Sequence, residues 1–224
     1  MLNSIPRVLT DPELSAINEH LQSARWISGK HSAGKHAVQG KSNEEMDQSC
    51  DSWSQINRIV ANRLYQHPQF QRLSLPVKLS AAFVSRYRRG MAYGPHIDDP
   101  VMGAGNSLYR ADIAITVFLS DPDSYTGGEL SINTPYGATT VKLDAGSAIT
   151  YPAASLHEVL AVENGERIAC VMWAQSMVRD AQQREILADL DDARQALRQA
   201  TPQAQITATL DRSYSNLVRM WAEV

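Results

Sequence analysis

The chain has 224 residues, 43% of them hydrophobic, which is enough for one domain with an appendage or at most two small domains. A net charge of −3 argues against a general nucleic-acid binder or a protein that binds anionic membranes. Two distant cysteines, Cys50 and Cys170, exclude a disulfide framework, and no apolar run approaches the roughly 18 residues of a membrane span.

The amino-terminal residues contain no apolar signal-peptide core, so we expect a soluble protein of the reducing cytoplasm. A first helix should begin at Thr10–Glu13, a capping-box pattern with proline at the first helical position. Residues 28–49 are polar and without periodicity, which indicates a mobile loop or an irregular strand pair. Helical spacing of apolar residues then predicts a second helix from about Cys50 to Gln66, ending before Pro68.

From Leu79 the apolar period changes from helical to strand-like, and the first predicted strand ends near Tyr87. Further strand candidates, mostly separated by turns rich in Gly, Pro and Asp, are Ala111–Leu119, Glu129–Asn133, Thr139–Leu143, Ser147–Tyr151, Leu156–Val162 and Arg167–Gln175. Many short strands without helices between them predict an antiparallel jelly roll or barrel.

After Gln175 the helical period returns and predicts a hairpin of two helices, the second restarting at Thr201-Pro202. The apolar faces of this hairpin fit packing on the barrel or on a second subunit. A homo-oligomer formed through these helices is therefore one of two alternatives. We expect a mainly β fold with flanking helices. The main domain would span residues 1–177, with N-terminal helices and the jelly-roll core at about 78–177, and a C-terminal helical extension would span 178–224.

A candidate metal site combines His96, Asp98 and His157. Two imidazoles and one carboxylate are the ligand set of non-haem Fe(II) oxygenases, and they leave half of the coordination sphere open. In an extended strand residues i and i+2 point to the same side, so His96 and Asp98 can hold one ion from the end of one strand. His157 would begin a second strand at the same mouth of the barrel. Each residue alone has an ordinary structural explanation, but together they predict a metal centre.

Arg167 adds a second element to this site, because it opens the strand that follows the Asn164-Gly165 turn and can point into the barrel. A surface arginine beside Glu163 and Glu166 is the alternative. An unpaired guanidinium inside a barrel is costly unless an anion accompanies it. A dicarboxylate that chelates the metal at one end and binds Arg167 at the other would satisfy both groups.

These residues belong to a longer set of motifs, and with them the chain resembles the prolyl-hydroxylase-like Fe(II)/2-oxoglutarate dioxygenases. The resemblance is closest to the bacterial PKHD-type hydroxylases of the PiuC-like kind and covers nearly the whole chain. The matching segments are Arg86-Tyr87 with Gly90 and Tyr93, His96-x-Asp98, Phe118–Pro122, Tyr125-x-Gly127-Gly128-Glu129-Leu130, Gly146–Pro152, Leu156–Val159, Arg167 and Met172–Met177.

The resemblance implies that His96, Asp98 and His157 hold Fe(II), and that Arg167 binds the distal carboxylate of 2-oxoglutarate, with Tyr87 lining the co-substrate pocket. It implies hydroxylation by O2 with release of succinate and CO2, with L-ascorbate as the reductant. No catalytic residue beyond the metal and co-substrate ligands is implied. Because Asp98 occupies the position that a small residue would leave open for halide, hydroxylation is favoured over halogenation.

Weaker pocket candidates are Arg110, Thr116 and Trp173. The chain departs from some prolyl-hydroxylase relatives by having Val117-Phe118 where they carry a second tyrosine, so part of the hydrogen bonding to the co-substrate should differ. Of the four other histidines, His20 and His67 have no ligand partner at useful spacing. His31 and His36 flank the polar loop and are expected to be exposed, with a lid or substrate contact as the alternative.

Two other functions stay open from the residues alone: a cupin-like metal-binding module without oxygenase activity, and an interaction protein that acts through the C-terminal helices. Arg167 argues against the first. The substrate is unidentified and is either a small molecule or a peptidyl group. The resemblance suggests a link to iron or siderophore uptake, and the loops 28–49 and 99–110 would flank the mouth and set specificity.

Overall fold

The structure is a computed structural model that describes residues 2–32 and 38–223. Its α-helices are α1 (Asp11–Gln22), α2 (Asp51–Gln66), α3 (Pro68–Ser74), α4 (Ala181–Ala200) and α5 (Gln205–Trp221). The predicted start of α1 is explained locally: the Thr10 backbone N–H and hydroxyl both donate to Glu13, at 2.9 and 2.7 Å. None of the described helices is both long and apolar enough to cross a bilayer.

Short strands make up the rest of the regular structure. They are β1 (Asn3–Ile5), β2 (Trp26–Ser28), β3 (Lys41–Ser42), β4 (Glu44–Met46), β5 (Pro76–Leu79), β6 (Phe83–Arg88), β7 (Ala92–His96), β8 (Val101–Met102), β9 (Tyr109–Arg110), β10 (Ile113–Phe118), β11 (Thr126–Gly127), β12 (Leu130–Thr134), β13 (Gly137–Val141), β14 (Ala148–Pro152), β15 (His157–Val159), β16 (Val162–Asn164) and β17 (Glu166–Ser176). Every pairing between them is antiparallel.

Two sheets carry the fold. The major sheet has the order β1-β14-β10-β17-β6-β4-β2 with β5 also paired to β17, and the minor sheet has the order β13-β12-β15-β7-β3. The polar stretch of residues 28–49 contributes to both, since β3 pairs with β7 and β4 pairs with β6. The predicted jelly roll, a double-stranded β-helix, is thus confirmed. Of the two alternatives for residues 28–49, the described residues form irregular strands.

Strand alternation sorts the side chains of the major sheet into two cores. On β17, Cys170, Met172 and Ala174 pack with the apolar faces of α1 and α2. Residues of the opposite parity, Arg167 and Trp173 among them, line a cavity between the two sheets. The same alternation on β6 turns Phe83, Ser85 and Tyr87 towards that cavity. Tyr87, expected to line the co-substrate pocket, therefore shares an inward face with Phe83.

Three predicted elements are wrong in detail. The strand predicted from Leu79 to Tyr87 is interrupted, because the backbone N–H and carbonyl of Ala82 bond to the side chains of Asn57 and Trp53 on α2. The predicted Leu156–Val162 strand is two strands, β15 and β16, which pair in different sheets. Asp98 lies beyond β7, which ends at His96. Helix α3 was not predicted from the sequence, and it begins at Pro68, the proline expected to follow a helix end.

The carboxy-terminal hairpin packs on its own chain. Helix α4 contacts both α3 and α5, and it buries Leu187, Ala188 and Asp191. An isolated bridge joins Val178 to Ala222, which ties the end of α5 back to the exit of β17. The apolar side chains of Ile186, Ile206 and Met220 remain exposed on these helices. Packing on the barrel side is thus observed, while association with a second subunit stays a prediction.

Candidate metal centre

The minor sheet brings the three predicted ligands together. His157 is the first residue of β15 and lies directly opposite His96, the last residue of β7, in the antiparallel register. One ligand atom from each of His96, Asp98 and His157 lies within 4.8 Å of the other two. The closest carboxylate approach is His157 Nε2 to Asp98 Oδ1, at 3.8 Å. The arrangement has the donor set and spacing that a divalent metal ion needs.

Both imidazoles are oriented by backbone carbonyl groups. His96 Nδ1 lies 2.8 Å from the Gly94 carbonyl oxygen, and His157 Nδ1 lies 3.0 Å from that of Ser155. Since each Nδ1–H donates to a carbonyl, each Nε2 keeps its lone pair for a metal. Burial, together with the neighbouring His157, lowers the pKa of His96 to about 4. His96 is therefore neutral and able to act as a ligand at neutral pH.

Asp98 is held by the major sheet from across the cavity. Trp173 Nε1 on β17 donates a hydrogen bond of 2.8 Å to Asp98 Oδ2, which leaves Oδ1 facing the histidines. Burial raises the pKa of the Asp98 carboxyl, against the lowering effects of His157 and of the Trp173 hydrogen bond. A desolvated carboxylate beside two imidazoles is stabilised by a cation, so this set of donors fits a divalent metal.

Replacing Trp173 by phenylalanine is expected to weaken metal binding by about 10- to 100-fold, because the carboxylate loses the donor that orients it. Phenylalanine keeps the edge-to-face packing on Phe83, so the fold should persist. Titration of the apo protein with Fe(II) under anaerobic conditions measures the effect. Unchanged affinity would show that the hydrogen bond does not orient the ligand, and Trp53→Phe on α2 serves as the matched control.

A cavity of about 950 Å³ extends from the three ligands into the barrel, with Arg167 among its lining residues. The Arg167 side chain is 1% exposed, and its Nε and Nη1 have no hydrogen-bond partner among the described residues. Its guanidinium lies 5.3 Å from the ring centroid of Tyr87 and 5.6 Å from that of Phe118. A buried, unpaired guanidinium between aromatic rings is unfavourable by itself and suits a bound carboxylate.

Two tyrosines of this cavity region were not recognised as site residues from the sequence. The Tyr125 hydroxyl is buried without a hydrogen-bond partner among the described residues, and Tyr151 lines the cavity. Tyr125 and Arg167 both pack against Gly128, where an added Cβ would lie 3.3 Å from a carbon of each side chain. The signal for Tyr151 was its place on the same strand face as the buried Ile149.

Of the less certain pocket residues, three line the cavity and one, Arg110, does not. Tyr87 and Thr116 line the cavity, as does Trp173. Arg110 instead forms ion pairs with Asp112 and Glu223, at 2.6 and 2.9 Å, near the C-terminal hairpin. At Val117-Phe118, where some prolyl-hydroxylase relatives carry a second tyrosine, the Phe118 ring lies near Arg167 but has no hydroxyl group to donate a hydrogen bond.

The other histidines lie apart from the three ligands. His20 lies on α1, His67 separates α2 from α3, and His31 is exposed. His36 falls outside the described residues. Among described residues, the only cluster of histidine, cysteine and carboxylate side chains with metal-binding spacing is the one formed by His96, Asp98 and His157.

Comparisons with known proteins agree with this geometry. The family model of the 2OG-Fe(II) oxygenase superfamily matches residues 82–175, and that of the PKHD-type hydroxylase C-terminal domain matches 180–223. PKHD-type hydroxylases from Thioalkalivibrio sulfidiphilus and Shewanella baltica are 46% and 39% identical over 224 residues, with 100% of both chains covered.

Solved structures show the same fold. A prolyl-4-hydroxylase of Pseudomonas putida matches with a TM-score of 0.55 and 14% identity over 78% of this chain and 92% of that one. A prolyl hydroxylase of Trichoplax adhaerens, in complex with a hypoxia-inducible-factor peptide, matches with a TM-score of 0.55 and 14% identity over 83% and 86%. Taken with the full-length relatives, these findings place the chain in the PKHD-type hydroxylase family, and it is a 2-oxoglutarate-dependent dioxygenase.

Proposed function

We propose that the protein hydroxylates its substrate with Fe(II) held by His96, Asp98 and His157 and with 2-oxoglutarate bound through its distal carboxylate to Arg167. The observation that carries this proposal is Arg167 itself: a fully buried guanidinium in the same cavity as the three ligands, with two nitrogen atoms left without partners among the described residues. A dicarboxylate spanning from metal to arginine would satisfy both ends.

Bound Fe(II) would supply O2 activation, in which 2-oxoglutarate is oxidised to succinate and CO2 while one oxygen atom enters succinate and the other enters a substrate C–H bond. The residues have separate tasks in this scheme. His96, His157 and Asp98 would supply the metal ligands, and Trp173 keeps the carboxylate in position. The apolar and aromatic side chains around the cavity limit the access of water to the reacting groups.

Tyr87 is proposed to contact 2-oxoglutarate beside Arg167. Burial raises the pKa of Tyr87 far above its ordinary value, so the hydroxyl stays protonated and can donate a hydrogen bond. Tyr125 is proposed as a further donor, since it packs beside Arg167 at Gly128 and its hydroxyl is buried. It would compensate for the hydroxyl that Phe118 lacks.

The remaining expectations stay predictions. The substrate is a small molecule or a peptidyl group, and the proposed link to iron or siderophore uptake rests on the resemblance to PiuC-like hydroxylases. L-ascorbate is the proposed reductant for iron oxidised in unproductive turnover. The free thiols of Cys50 and Cys170 agree with a reducing cytoplasm. We also propose a boundary after residue 177, between the dioxygenase domain and the C-terminal extension.

Succinate formation tests the reaction. The purified protein is incubated with Fe(II), ascorbate, O2 and 2-oxoglutarate labelled at C1. The labelled CO2 and the unlabelled succinate are then quantified. We expect both products in equal amounts, even slowly without substrate, and complete loss after chelation of the metal. Absence of 2-oxoglutarate turnover together with absence of 2-oxoglutarate binding to the Fe(II)-loaded protein would contradict the proposal.

A further inference from the structure

A buried ion pair lies in the wall of the cavity and has no part in the proposed chemistry. Lys41 on β3 and Glu45 on β4 have side chains that are 7% and 9% exposed, with Lys41 Nζ 2.6 Å from Glu45 Oε1. Both residues line the same cavity as the three candidate metal ligands. The short segment that carries them crosses from the minor sheet, through β3 and β7, to the major sheet, through β4 and β6.

The pair stands close to the metal centre. Lys41 Nζ lies 5.0 Å from the ring centroid of Tyr93, and that ring stacks on the imidazole of His96 with a centroid distance of 3.6 Å. Tyr93 is thus a common neighbour of the ion pair and of one candidate metal ligand. A molecule that contacts the pair from inside the cavity would therefore extend towards the candidate metal site.

Stability does not explain the pair. Burying two charges costs desolvation free energy that their attraction rarely exceeds, and apolar residues of similar volume often serve the fold equally well. Lys41 and Glu45 are also four residues apart in one segment, and the strand pairings already join that segment to both sheets. The register of the sheets therefore does not require these two charges.

The hydrogen bonds leave one donor and one acceptor unused. Lys41 Nζ donates to Glu45 Oε1 and to Ser32 Oγ, at 2.6 and 2.8 Å, which uses two of its three N–H groups. Glu45 Oε1 also accepts from Ser32 Oγ at 2.8 Å. Glu45 Oε2 makes no hydrogen bond to any residue that the structure describes. An ammonium N–H and a carboxylate oxygen are thus available side by side at the cavity wall.

We infer that this pair binds the α-ammonium and α-carboxylate groups of a free amino acid, so that the substrate is a small zwitterion rather than a peptidyl group. The carboxylate of the amino acid would accept a hydrogen bond from Lys41 Nζ, and its ammonium would donate one to Glu45 Oε2. Each charged group of the ligand would then contact a side chain of opposite charge. A purely anionic ligand would face Glu45, and a purely cationic ligand would face Lys41. The inference rests on the proposed function, since it concerns the substrate of that same site.

A binding experiment tests this inference. The anaerobic holoenzyme with Fe(II) and 2-oxoglutarate is titrated calorimetrically with each free L-amino acid of proteins and with its N-acetyl methylamide, which removes both charges. At least one free amino acid should bind about tenfold or more tightly than its capped form, and Glu45→Gln and Lys41→Met should each weaken it about tenfold or more. Glu19→Gln, an exposed carboxylate on α1, should have no effect.

A double variant separates recognition from folding. Lys41→Met with Glu45→Leu replaces the ion pair by apolar side chains, and we expect it to unfold at the temperature of the parent protein or higher while losing amino-acid binding. Equal or tighter binding of the capped compounds, or retention of amino-acid binding by the double variant, overturns the inference. Either result leaves the proposed function intact, because labelled CO2 release and its dependence on Arg167 are measured without substrate.

Discussion

Arg167→Met is expected to weaken 2-oxoglutarate binding by about 30- to 4,000-fold, which corresponds to the roughly 2–5 kcal/mol lost when one partner of a buried charge pair is removed. Methionine keeps much of the side-chain volume between Tyr87 and Phe118 but cannot bind a carboxylate. Because the guanidinium is buried and lacks partners at Nε and Nη1 among the described residues, the same change should leave the free protein as stable as the parent or more so.

Thermal unfolding distinguishes the effect on 2-oxoglutarate binding from the effect on the stability of the free protein. Thermal unfolding of the Mn(II)-loaded protein with increasing 2-oxoglutarate should give a rise in Tm for the parent and little or none for Arg167→Met. Arg88→Met is the matched control, since Arg88 lies on the neighbouring strand β6 but is half-exposed and paired with Glu166. Retention of the 2-oxoglutarate-dependent rise in Arg167→Met would show that another group binds the distal carboxylate.

His96→Ala is expected to reduce Fe(II) affinity by more than about 100-fold, since even the loss of a residue that only orients a ligand costs 10- to 100-fold. Labelled CO2 release should fall to the background of the chelated enzyme. The fold should survive, because His96 is the last residue of β7 and its side chain is only partly buried. Anaerobic metal titration and quantified iron in the purified protein measure the loss.

The control for this experiment is His20→Ala on α1, which should leave metal content and turnover at the level of the parent protein. Substitution of His157 should reproduce the effect of His96→Ala, since the two imidazoles lie opposite each other in one register. Full iron occupancy in either variant would contradict the assignment of His96, Asp98 and His157 as the ligands.

Local patterns were sufficient for much of this architecture. The capping box at Thr10, the helical spacing before Pro68 and the alternation within Arg167–Gln175 each depend on neighbours within a few residues, and they predicted α1, α2 and β17 closely. The prediction was less accurate where a distant element replaced local hydrogen bonds. The interruption at Ala82 depends on two side chains of α2, which no pattern around residue 82 contains.

The sequence by itself determined the chemical types at the site: two imidazoles, a carboxylate and a guanidinium on an inward strand face. These follow from residue identity and from the two-residue period of a strand, both of which are local. Only the tertiary structure decided that His157 lies opposite His96, that Trp173 donates to Asp98 and that Lys41 and Glu45 meet at the cavity wall. Register and cross-sheet contacts depend on packing between residues far apart in the chain, so the period of a single strand does not contain them.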